Sequence, residues 1–132
     1  MANLSAIFDG VIAENSVNTP IAVLKELSQV LVKRTNGLLV GKVVQEAWDS
    51  QFSLEFYITA PSLNNYSYQV LEIKHDLSFY PLDIRQSNVN ANANLSWKAE
   101  NQEELEEILK TIISSSQVKK VINGLLAQIK SA

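Results

Sequence analysis

The chain has 132 residues, 46% apolar and 19% charged, with 11 basic against 14 acidic side chains and a net charge of −3. A chain of this length hides about two-thirds of its unfolded surface on folding, enough for one core without staples, so residues 1–132 read as a single domain. The absence of cysteine excludes disulfide scaffolds, thiolate zinc sites and thiol catalysis. The acidic balance counts against nucleic acid or an anionic membrane as partner, because such binding draws on an excess of Lys and Arg.

Residues 3–13 place Leu4, Ile7, Phe8 and Val11 at helical spacing, interrupted by Gly10, and predict a short helix. A longer helix follows. Thr19 is an N-cap, Pro20 suits the first helical position, and Val23, Leu24, Leu27, Val30 and Leu31 form one apolar stripe. Lys33 and Arg34 lie in the last turn, where positive charge complements the helix dipole, and Asn36-Gly37 stops the helix.

From Leu38 the apolar period changes to two. Leu38 to Trp48 and Gln51 to Thr59, joined by Asp49-Ser50, read as a β-hairpin. On the second strand Phe52, Leu54, Phe56 and Ile58 alternate with Ser53, Glu55, Tyr57 and Thr59. Pro61 to Asn65 is a turn, Tyr66 to His75 a third strand and Leu77 to Ile84 a fourth, with Pro81 marking an edge or kink. Asn88, Asn90, Asn92 and Asn94 alternate with Val89, Ala91 and Ala93, but Asn and Ala are poor strand formers. A loop is expected to about residue 92, then a strand over Ala93–Ala99. Asn101 and Glu104 form a capping pair before the stripe Leu105, Ile108, Leu109, Ile112 and Ile113. A break at Ser114-Ser115-Ser116 leads to a last helix lined by Val118, Val121, Ile122, Leu125, Leu126 and Ile129. The expected fold is α+β: an antiparallel meander of about five strands, packed on one face by an N-terminal helix and two C-terminal helices.

The candidate chemistry is sparse. His75 is the single histidine, and with Asp76 it supplies too few ligands for a metal phosphohydrolase site. The four glycines give no phosphate-cradling spacing, and no cofactor is expected. Asp49 followed by Glu72-Ile73-Lys74 resembles the acid and acid-x-Lys pattern of restriction-type nucleases, with Glu26 on the preceding helix. That resemblance implies a metal held by Asp49 and Glu72, and a water oriented by Lys74. Trp48 stands where that pattern has proline, and the chain's two final helices do not match the end of that fold.

Glu100, Glu103, Glu104, Glu106 and Glu107 crowd a helix start, where the dipole favours acids. Tyrosine is enriched at contact hot spots. An interaction surface is therefore expected on Tyr57, Tyr66 and Tyr68 across an exposed sheet face, with Glu103, Glu104 and Glu107 beside a basic partner. The functional expectation is a non-enzymatic protein-interaction module of the adaptor, chaperone or neutralising kind. A metal-dependent nuclease and a small-ligand-binding domain are the alternatives. Strand edges could also pair two copies into a homodimer. Met1 to Glu14 lacks the basic start of an export signal, and no apolar run reaches the ~20 residues of a membrane span, so a cytoplasmic location is expected.

Overall fold

The computed structural model describes Ala6, residues 19–86 and residues 95–131. The helix expected over 3–13, apart from Ala6, and the asparagine row at 88–94 lie outside the described residues. The elements run α1 (Pro20–Arg34), β1 (Val40–Trp48), β2 (Gln51–Ala60), β3 (Tyr66–Asp76), β4 (Leu82–Gln86), β5 (Leu95–Ala99), α2 (Gln102–Ile113) and α3 (Ser116–Ser131). The five strands form one antiparallel sheet in the order β1-β2-β3-β4-β5. The α+β meander expected from the alternation is the observed fold. Among the described residues, no helix is long and apolar enough to cross a membrane.

Each helix end follows from its sequence. Thr19 Oγ1 accepts the Ala22 N–H at 3.2 Å, ahead of Pro20. At the other end Asn36 adopts φ 53° and Gly37 φ 81°. The Gly37 N–H donates to Val32 O at 2.8 Å and the Asn36 N–H to Lys33 O at 3.4 Å, which closes a Schellman turn. The buried Thr35 then ties this turn to the strand that follows. Its hydroxyl lies 2.8 Å from Leu31 O and 3.1 Å from both the O and the N of Leu39.

α1 therefore lies over β1, and closely. A Cβ at Gly41 would come within 2.7 Å of Ser28 Cβ and 2.8 Å of Ser28 Cα, so only glycine permits this approach. α2 and α3 cover the rest of the same face. The core between the layers is built from Leu24 of α1, Leu54, Phe56, Ile58, Ile73 and Ile84 of the sheet, Leu105 and Ile112 of α2 and Val118 of α3. Two polar ties fix the α2–α3 corner to the sheet. The buried Gln86 amide donates to Ser115 Oγ at 3.1 Å, and the Gln117 amide donates to the Tyr68 hydroxyl.

Two features depart from simple alternation. Phe56 faces Leu71 while Tyr57 faces Gln69, so Val70 is an extra residue in β3. This bulge turns Val70 and Leu71 both into the core, at 0% exposure. The fourth strand begins at Leu82 rather than Leu77. Asp76 Oδ1 accepts the Ser78 N–H at 2.9 Å and the Ser78 hydroxyl, and the Phe79 N–H donates to Asp76 O at 3.1 Å. These bonds hold residues 77–80 in a turn that leaves Leu77 71% exposed.

Gly41→Ala is expected to cost about 1–3 kcal/mol, read as a lower urea midpoint at unchanged slope. An unchanged midpoint would show that α1 does not rest on β1 at this point.

Candidate functional site

The bulge decides where the expected contact residues lie. On β2, which alternates without interruption, Tyr57 points away from the helices, beside Glu55 and opposite Lys42 and Gln69. On β3, between its start and the bulge at Val70, Tyr68 pairs with the core residue Ile58 and Tyr66 with Ala60, so both point to the helix side. The three tyrosines therefore divide between two faces. Tyr66, 51% exposed, and Tyr68 line a hollow of about 380 Å³ against Lys120, Val121 and Gly124 of α3.

The helix-free face carries a checkerboard of charge. Across the strands Glu46, Ser53, Lys74, Asp83 and Lys98 form one row; Val44, Glu55, Glu72, Arg85 and Ser96 form the next. Lys74 Nζ lies 3.5 Å from Glu72 Oε1, with both side chains partly exposed. Glu55 and Glu72 are directly opposed like charges, a destabilising pairing. The Tyr57 hydroxyl relieves it by donating to Glu55. That hydrogen bond first, burial second, and the negative charges of Glu55, Glu46 and Glu72 raise the Tyr57 pKa above the ordinary phenol value of 10.0.

Of the nuclease-like residues, Glu72 and Lys74 stand side by side, whereas Asp49 is held apart from them. Asp49 occupies the β1–β2 turn with φ 55°. The turn closes at the pair Trp48–Gln51, four residues before Glu55, the partner of Glu72, so Asp49 lies roughly 15 Å away along the strand. Among the described residues no three His, Asp or Glu side chains form a metal-holding group. His75 is an aromatic core residue. It stacks on Phe52 at 5.4 Å between ring centroids, lies 5.8 Å from Phe79, and places Nδ1 2.7 Å from Asp76 O.

The acidic residues divide by role. The Glu104 N–H donates to Asn101 Oδ1 at 2.9 Å, and its carboxylate accepts the Glu100 N–H at 2.8 Å, so Glu104 serves the α2 cap. Glu103 and Glu107 stand with Trp97 and Ile108 around a hollow of about 500 Å³ beside β5. Tyr80 lies close to α2. Among the described residues its buried hydroxyl has no hydrogen-bond partner, and burial, then the charge of Glu106, raises its pKa.

One apolar concavity is not singled out by the periodicity. Because α1 stands on β1, a groove opens between α1 and the α2–α3 pair. One hollow of about 410 Å³ is lined by Val23, Leu27 and Val30 of α1 and by Leu109 and Ile113 of α2, with Glu26, Glu106 and Lys110 at its rim. A second, of about 390 Å³, shares Leu27, Val30 and Ile113. Phe56 and Ile58 lie on its sheet side, Ile122 and Leu126 on α3, and Arg34 on its rim. Val30 remains 49% exposed. The sequence signal was the width of the α1 stripe. At 100° per residue Val30 lies about 120° from the core residue Leu24 but about 20° from Val23, two turns along the same face, so the stripe continues from the core into the groove.

Comparisons of the chain with protein-family models, with curated proteins and with solved structures find no match.

The raised Tyr57 pKa has a sign for stability. A phenol raised in the folded state contributes stability below its unfolded value, and that contribution is lost as pH rises through the folded value. Titration followed at 295 nm is expected to show Tyr57 ionising above 10.0. Glu55→Gln should lower its pKa, whereas an ionisation indifferent to Glu55 would remove the hydrogen bond from the account.

Proposed function

We propose that the protein is a non-enzymatic interaction module that takes an apolar helical face of a partner protein into the groove between α1 and α2–α3. The observation that supports this reading is the pair of adjoining apolar hollows sharing Leu27, Val30 and Ile113, with Val30 half exposed. Connected apolar surface left open to water is a docking feature. A groove walled by helices suits an amphipathic helix, whose apolar residues recur every three to four positions.

The rim charges give the partner a direction. Glu26 and Glu106 outnumber Lys110 at the first hollow, and Arg34 stands alone at the second. The complementary helix carries basic residues at the first end and an acidic residue at the other. Such pairs at the rim set orientation and on-rate more than affinity.

The test uses a fluorescent sixteen-residue amphipathic peptide with a leucine stripe, lysines at one end and glutamates at the other. The intact protein is expected to bind it with a Kd of roughly micromolar order, and the peptide with its charged ends exchanged more weakly. Val30→Arg alters an exposed position, so it should abolish binding and leave the melting temperature nearly unchanged. Failure to bind, binding indifferent to Val30→Arg, or binding of a small apolar dye alone would overturn the reading.

A further inference from the structure

β1 is an edge strand, and among the described residues its outer side has no neighbour. Its nine residues pair with β2 in unbroken register from Val40 to Trp48. Natural edges are usually blunted by lysine or other charges, proline, a bulge or a covering element; β1 carries Lys42 and Glu46 but no proline and no register shift. The closing pair of a two-residue hairpin turns its backbone groups inward, here Trp48 and Gln51. By alternation, residues 41, 43, 45 and 47 direct their N–H and C=O groups outward. At the end of this edge Trp48 is 55% exposed.

We infer that this edge pairs with the same edge of a second copy, antiparallel about a two-fold axis at Val44, joining two sheets into one of ten strands. The support is self-complementarity. With Val44 opposite the partner's Val44, Lys42 falls opposite the partner's Glu46 and Glu46 opposite the partner's Lys42. Trp48 falls opposite the partner's Val40, and Val40 opposite the partner's Trp48. Every facing pair on the helix-free face is then apolar with apolar or acid with base, the favourable cross-strand combinations. These residues occupy the non-hydrogen-bonded positions, where opposed side chains approach most closely. On the helix side Gly41 meets the partner's Ala47 and Val43 the partner's Gln45. Val32 of α1, 37% exposed, lies about 160° round the helix from Val30 of the groove. The interface is isologous and closes on itself, so it forms a dimer and not a fibre.

The experiment is sedimentation velocity on the full chain over the micromolar range, with charge reversals at one facing pair. The wild-type protein is expected to associate into dimers. Lys42→Glu and Glu46→Lys each set like charges opposite one another twice, and each should weaken the dimer about tenfold or more. The double variant Lys42→Glu/Glu46→Lys restores opposite charges and should regain the dimer. Thermal unfolding of each variant at a concentration where the wild type is monomeric separates lost association from lost folding. A wild-type protein monomeric throughout, a dimer unmoved by the single reversals, or single losses that the double variant does not repair would overturn the inference.

Discussion

The close seat of α1 on β1 governs what this protein exposes. Gly41 admits Ser28 to a distance that no side chain would tolerate. The three contacts of the Thr35 hydroxyl fix the turn between helix and strand. A helix held over an edge strand cannot also roof the centre of the sheet. The apolar hollows beside Phe56 and Ile58 follow from that placement, as does the half-exposed Val30. One local constraint thus connects a glycine in a strand to an apolar surface on the other side of the helix.

The β3 bulge is the second organising feature. It places two consecutive residues, Val70 and Leu71, in the core and reverses the facing of everything between the bulge and the start of β3. Tyr68 thereby meets the Gln117 amide of α3, while Tyr57 stays with Glu55 on the helix-free face. The two faces differ in chemistry as a result. The helix side buries aliphatic residues and the Tyr80 hydroxyl. The other presents acids and bases side by side, with the opposed acids Glu55 and Glu72 as the exception.

Much of the fold was legible because its signals are local. Thr19-Pro20, Asn36-Gly37, Asp49-Ser50 and the Asn101–Glu104 pair each name a boundary through a specific backbone need, and each lies where it was read. The strand pattern of Phe52 to Ile58 likewise carries its own period. What escaped depends on a partner elsewhere in the chain. The start of β4 was misplaced because Leu77 to Tyr80 is apolar enough to pass for a strand, while the Asp76 side chain captures Ser78 for a turn. The bulge was hidden because Val70-Leu71 fits either phase of an alternating strand. The groove was hidden because a helical stripe reports which residues are apolar and not how far apart two helices stand. The tyrosines of the expected contact surface were grouped by residue type on one exposed face, and the bulge turns Tyr66 and Tyr68 to the other.

The central claim is that α1, standing on β1, leaves an apolar groove open beside α2 and α3. Methyl resonances read with a soluble paramagnetic agent address it directly, since the agent broadens only the methyl groups it can approach. Val30 and Ile113 should broaden strongly, while Leu24 and Ile73 stay sharp. Val30 and Ile113 methyls as protected as that of Leu24 would mean that the groove is closed, and would contradict the account.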